Sequence, residues 1–137
     1  MNNIYVDMVG DLFHINHINL IKEAKKFGKH LIVGVHSDSD VESYKCTPIL
    51  TMEERIGVIE SCKYVDKVIP NAPLVITKEY LDENNIDLVV HGFLNKEDEE
   101  KQEELFRYVR EINKFKTIEY CNEISTSDII EKIKKEY

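Results

Sequence analysis

Positive charge is scarce in this chain: 18 Lys and Arg stand against 26 Asp and Glu, a net charge of −8. A nucleic-acid-binding surface needs a basic stripe, and this balance argues against one. Any phosphate chemistry must therefore draw on positive charge gathered locally inside an acidic molecule. Long apolar runs are also missing. No stretch approaches the roughly 20 apolar residues of a membrane span. Met1-Asn2-Asn3 leads straight into Ile4-Tyr5-Val6, without the basic start and apolar core of a signal peptide. Cysteine is limited to Cys46, Cys62 and Cys121, an odd set without CxxC or Cys/His spacing. That excludes a disulfide framework as the default and leads to the expectation of reduced thiols in the cytoplasm. Internal repeats, low-complexity tracts and interdomain linkers are absent as well. The 137 residues, 42% apolar and 32% charged, are expected to form one globular domain, 1–137.

What is present is a regular alternation of strands and helices. Ile4–Val9 reads as a first buried strand. A helix over Ile18–Phe27 follows, with Ile18, Ile21, Ala24 and Phe27 on one face and Gly28 as its stop. His30–His36 is a continuous apolar run, as expected of a strand covered on both faces. Thr51-Met52-Glu53-Glu54 is a capping box that opens a helix to about Cys62. A short strand over Lys67–Ile69 ends at Pro70. A helix from about Thr77 to Asn84 leads into a fourth strand, Asp87–His91. Glu97–Asn113 reads as a charged helix whose acidic run is a solvated face, with Leu105, Val109 and Ile112 marking the buried side. Lys116–Tyr120 is a fifth strand, and Asp128–Lys135 a closing helix. This order predicts an α/β, Rossmann-like parallel sheet of about five strands with right-handed crossovers and helices on both faces.

Ligands of such sheets bind beyond the carboxyl ends of the strands. The chemically capable residues cluster there: His14 and His17 after the first strand, His36 to Lys45 after the second, His91-Gly92 after the fourth, and Ser125-Thr126-Ser127 after the fifth. Two imidazoles at i and i+3, where a strand turns into a helix, can face one ligand. A Ser/Thr cluster opening a late helix offers hydroxyls and free backbone N–H groups to an anion. Together they suggest a nucleoside triphosphate site and nucleotidyl transfer. An acceptor phosphomonoester is already largely a dianion at neutral pH, so no strong general base is needed. The protein must align two anions and neutralise charge that builds on the pentacoordinate phosphorus and the departing pyrophosphate. His14, His17, Lys45, Arg55 and the 125–127 cluster are suitable donors.

Plainer roles fit the same residues. A lone H-x-x-H is often incidental or half of a metal pair, although zinc needs three or four ligands and no cysteine lies nearby, so no metal ligands are assigned. Lys45 is equally an ordinary surface lysine, and Ser125 and Thr126 equally an N-cap with Asp128. Arg55 is equally a partner for Glu residues on its own helix. His36 and His91 each end an apolar strand, where a structural hydrogen-bonder and a catalytic group look alike.

Taken together, these residues resemble the cytidylyltransferases, nucleotidyltransferases of the H-x-G-H type, above all those acting on phosphoethanolamine and phosphocholine. Asp11-Leu12-Phe13-His14-Ile15-Asn16-His17 is similar to D-x-x-H-x-G-H. Leu31 to Asp38 resembles the second strand and its loop, and Lys45, Pro48 and Thr51 to Arg55 the lysine loop and E-R helix. Lys63 to Ile69 is similar to R-Y-V-D-E-V-I, and Ile124 to Ser127 to I-S-T-T. Asn71-Ala72-Pro73 and Asp87 to Gly92 look like the ethanolamine/choline branch. The resemblance covers almost the whole chain. It implies catalytic roles for His14, His17 and Lys45, and nucleotide contacts from Val9, Gly10, His14, His17, His91, Gly92, Ser125, Thr126 and Ser127. It implies substrate contacts from Asp11, Lys45, Arg55 and Lys63. It further implies CTP with Mg2+, a small phosphorylated alcohol as acceptor, and a homodimer formed near Lys63–Ile69, with neither nucleic acid nor membrane as a partner.

Several positions depart from the pattern. Asn16 stands for the glycine of H-x-G-H, which lets backbone approach the nucleotide closely. Met8 replaces another usual glycine, with Gly10 nearby. Lys63 replaces an arginine and loses its bidentate fork. Phe93 stands where an acidic residue is common. Tyr120-Cys121-Asn122-Glu123 occupies the stretch usually written R-T-x-G. At about 6 Å and an effective dielectric near 20, the Glu123 carboxylate would oppose a phosphate charge by roughly 3 kcal/mol. These departures motivate two alternatives: a weakened nucleotide-binding or regulatory homologue, and a transferase using ATP, glycerol phosphate or a sugar phosphate.

Overall fold

The structure, a computed structural model, describes residues 2–119 and 124–137. Tyr120-Cys121-Asn122-Glu123, where the Glu123 departure falls, lies outside the described residues. Five strands, β1 (Asn3–Met8), β2 (His30–Val35), β3 (Lys67–Ile69), β4 (Leu88–Phe93) and β5 (Phe115–Glu119), form one sheet in the order β3-β2-β1-β4-β5. Every pairing is parallel, from Asn3↔His30 to Met8↔Val35 on one side of β1 and Ile4↔Leu88 on the other. The helices are α1 (Ile15–Lys25), α2 (Asp38–Glu42), α3 (Met52–Glu60), α4 (Lys78–Glu83), α5 (Lys96–Lys101), α6 (Glu103–Glu111) and α7 (Thr126–Glu136). The chain crosses from one half of the sheet to the other between β1 and β4, a switch point of the kind that opens a crevice in α/β sheets.

The two-residue period of the strands divides the core into two layers. Ile4, Val6, Leu31, Val33, Val35 and Val90 pack on one face with Ile21 and Ala24 of α1 and Ile59 of α3. Tyr5, Ile32 and Val89 pack on the other with Leu81 of α4 and Phe106 and Val109 of α6. Gly34 belongs to the second face because a Cβ there would lie 2.0 Å from the Tyr5 hydroxyl and 2.8 Å from the Ala72 side chain.

Three elements differ from expectation. The first helix starts at Ile15, not Ile18, and ends before Phe27, which is 40% exposed. Its N-cap is His14, a residue seldom read as a helix start. The segment expected as one helix over Glu97–Asn113 is two, α5 and α6, with Gln102 between them at φ −103 and ψ 8. The Gln102 amide donates back to Asp98, and Arg110 of α6 pairs with Glu99 of α5 at 2.7 Å. The short α2 follows an N-cap at Ser37 within a stretch expected as loop.

Gly34→Ala is expected to destabilise the protein by about 1–3 kcal/mol, through overpacking against Tyr5. Urea unfolding monitored by circular dichroism reads the shift in midpoint, and Tyr5→Phe in the same chain should recover part of it.

Candidate active site

The strand β1 delivers the chain to a turn in which Gly10 takes a φ of +70 and is buried. A side chain there would meet Ile59 Cδ1 at 2.7 Å, so position 10 combines left-handed backbone with close packing. The turn ends at His14, where α1 begins with a capping box built from histidines. The His14 N–H donates to Nδ1 of His17 at 3.0 Å, and the Asn16 N–H donates to Nδ1 of His14 at 3.3 Å. Each neutral imidazole has its Nδ1 committed as an acceptor, so its proton sits on Nε2. The two rings lie 3.9 Å apart between centroids, and Phe13 stacks on His17 at 5.4 Å.

Burial pushes the His17 imidazole down to about 4, helped by His14 and the Lys45 ammonium and opposed by Asp11. Burial also lowers His14, with Asp128 opposing it. Both rings are therefore neutral N–H donors at neutral pH. Thr126 at the start of α7 meets the first of them: its hydroxyl donates to the Asp11 carbonyl at 3.0 Å and lies 3.3 Å from His14 Nε2. Ser125 caps α7 by accepting from the Asp128 N–H at 3.1 Å, while Asp128 accepts from the Ser125 N–H at 3.0 Å. Ser127 is exposed beside them. Lys45 is exposed in the loop after α2, with its ammonium 5.7 Å from the Tyr44 ring. The first and last motifs of the sequence thus meet at one place.

Two of the expected substrate contacts have other tasks. Arg55 is fully buried. Its guanidinium donates to the carbonyls of Val9 (2.7 Å), His36 (3.0 Å) and Leu50 (3.2 Å) and to the Asp38 carboxylate (2.6 Å). It is a strut that fixes the ends of β1 and β2 to α3, because a buried guanidinium needs partners for its N–H groups and the strand-end carbonyls supply them. Asp11, 7% exposed, accepts from the N–H groups of Ile49 (2.8 Å) and Leu50 (2.9 Å) and anchors the loop that follows Lys45. Lys63 is not brought to the site within this chain. It follows α3 and precedes β3, at the amino end of the sheet, where its ammonium lies 5.3 Å from the Tyr64 ring. Phe93 packs inward, with ring centroids 4.7 Å from His91 and 5.8 Å from Phe106.

One group escaped the sequence reading. Asp7, 4% exposed at the end of β1, lies 3.5 Å from His36 Nε2 and 3.4 Å from His91 Nδ1. Burial alone would raise its carboxyl, and the two imidazoles outweigh that and hold it well below the usual carboxylate range. His36 also faces the Ala72 carbonyl through Nδ1 at 3.1 Å, and Asp7 overcomes burial to raise its pKa. The signal was available: an aspartate inside Ile4-Tyr5-Val6-Asp7-Met8 must meet a partner on the covered face of the sheet. His91-Gly92 closes this cluster, with Gly92 buried.

A parallel sheet covered on both faces, with the His14–His17 cap of α1 against the start of α7, defines a Rossmann-like α/β protein. Residues 10–132 match the cytidylyltransferase-like family, and the chain belongs to it. It is 39% identical over 137 residues to choline-phosphate cytidylyltransferase 2 of Arabidopsis thaliana, covering 98% of this chain and 45% of that protein. It is 34% identical over 130 residues to the ethanolamine-phosphate cytidylyltransferase of Mus musculus, covering 93% of this chain and 31% of that protein. The chain thus spans less than half the length of these relatives. A lipopolysaccharide core biosynthesis protein from Thermoplasma volcanium has a similar structure, with a TM-score of 0.72 and 26% identity over 89% of this chain and 99% of that one.

The pKa of His17 gives a signed expectation. Its folded value, about 4, lies below the ordinary 6.5, so its contribution to stability is complete above about pH 6.5 and is lost as pH falls toward 4. Comparison of His17→Gln with the unaltered protein by urea unfolding at pH 7 and pH 5 should show a smaller acid loss in the variant. An equal loss in both proteins would contradict the assignment.

Proposed function

We propose that the protein transfers the cytidylyl group of CTP to a small phosphomonoester, phosphoethanolamine or phosphocholine, and releases pyrophosphate. The observation that carries this reading is the pair of neutral imidazoles with Nδ1 occupied by backbone donors, beside the Thr126 hydroxyl at the start of α7. A phosphate oxygen of the acceptor, a dianion at neutral pH, attacks the α-phosphorus. The new P–O bond forms as the bond to the β-phosphate oxygen breaks, and the electron pair leaves with pyrophosphate. No proton has to be removed from the nucleophile. The Nε2–H groups of His14 and His17 donate to the oxygens on which charge builds, without loss of their own protons. The backbone N–H groups at the start of α7 and the Lys45 ammonium add positive potential. Arg55 and Asp11 act at one remove, by holding the strand ends and the loop that carries Lys45.

Mg2+ enters with CTP as part of the substrate. Among the described residues no group of three or more His, Cys, Asp or Glu is arranged to hold a metal, and such an ion is commonly held by triphosphate oxygens and water with few protein ligands. The reading includes a homodimer, for which the support is the resemblance at Lys63–Ile69 and the edge position of β3. It also places the protein in the cytoplasm, in keeping with the free Cys46 and Cys62. No helix among the described residues is long and apolar enough to cross a membrane.

Pyrophosphate release with MgCTP and each acceptor tests the proposal. His14→Ala and His17→Ala are each expected to lower kcat by at least about 100-fold, the scale for loss of one transition-state donor. Turnover equal to that of the unaltered protein in both variants, or none with any acceptor in the unaltered protein, would overturn it.

A further inference from the structure

The helix α7 carries Thr126, yet none of its residues is buried, and Ile129 and Ile130 are only half-buried. Apolar packing alone is a weak anchor for such a helix. Among the described residues, its start is joined to the rest of the protein by three polar contacts. Thr126 makes two, with the Asp11 carbonyl and with His14. The third comes from Asn16, whose side-chain amide donates to the carbonyl of Ile124, next to the Ser125 N-cap.

Asn16 is well placed to act as an anchor. It lies in the first turn of α1, is 3% exposed, and belongs to a helix that Ile21 and Ala24 fix in the core. Its backbone N–H is the donor that sets the tautomer of His14. One residue therefore touches both halves of the site, through its backbone on one side and its side chain on the other. Among the described residues, the side-chain oxygen is buried without a hydrogen-bond partner. A glycine, the residue of the H-x-G-H pattern, would carry neither that unsatisfied oxygen nor the tie to Ile124. The asparagine thus accepts a local cost and gains a connection across the site.

We infer that Asn16 is a positioning residue, a latch whose amide holds the start of α7 against α1 and keeps Thr126 on His14 before any nucleotide binds. Its consequence for catalysis rests on the proposed function. Without the latch, a smaller fraction of molecules has the site assembled, and nucleotide binding must supply the ordering. The apparent affinity falls by that fraction, so the loss appears in KM for CTP and not in kcat.

Two readouts separate the latch from the activity. The first is amide hydrogen exchange of the nucleotide-free protein at Asp128 and Ile129, whose N–H groups bond to the Ser125 side chain and carbonyl. Asn16→Ala and Asn16→Gly are each expected to speed exchange there by about fivefold, the scale of one net hydrogen bond. The amides of Val6 and Val33 in the sheet should keep their rates. The second is steady-state kinetics, in which KM for CTP should rise about fivefold and kcat stay within about twofold. Unchanged exchange at 128 and 129, or exchange raised equally in the sheet, would overturn the latch. Faster exchange confined to α7, with no turnover in any version of the protein, would support the latch and sink the proposed function.

Discussion

The site depends on a helix cap made from two histidines. Ordinary caps offer an oxygen to the free N–H groups of a first helical turn. Here the acceptors are Nδ1 of His17 and Nδ1 of His14, so the demand of α1 for partners is met by the two imidazoles themselves. The cap determines which ring nitrogen holds the proton, and burial keeps the rings uncharged. A proton added to either Nδ1 would break a bond of the cap. Secondary structure and donor chemistry are one arrangement.

The remainder of the site is braced from behind. The Arg55 guanidinium gathers the carbonyl ends of β1 and β2 with Leu50, and the Asp11 carboxylate gathers two N–H groups of the same loop. The strand ends are therefore fixed beneath the turn that carries His14 and the loop that carries Lys45. Beneath the strand ends the buried Asp7 and His36, with the partly buried His91, gather on the second face of the sheet. The buried Asp7 carboxylate is offset chiefly by His36, whose imidazole it holds toward the charged form against the cost of burial.

Much of this was legible in the sequence. The apolar runs at 4–9 and 30–36 and the capping box at Thr51–Glu54 follow from periodicity and common cap chemistry, and β3 was found to the residue. The approach of Thr126 to His14 was expected from the placement of both segments beyond the strand ends. What escaped has physical reasons. The N-cap at His14 is hidden in the sequence because histidine rarely serves as one. The break at Gln102 has no glycine or proline to announce it. The roles of Arg55 and Asp11 depend on contacts 46 and 38 residues away, and local pattern cannot tell a buried strut from a substrate contact. The tie of Asn16 spans 108 residues to Ile124, which no local pattern can show.

The most direct test of the central claim is nitrogen-15 NMR of the histidine rings at pH 7, with and without MgCTP. The account predicts that His14 and His17 are neutral with the proton on Nε2, and that both Nε2 resonances move when MgCTP is added while exposed His30 stays in place. A charged imidazolium at either position, a proton on Nδ1, or resonances indifferent to MgCTP would contradict it.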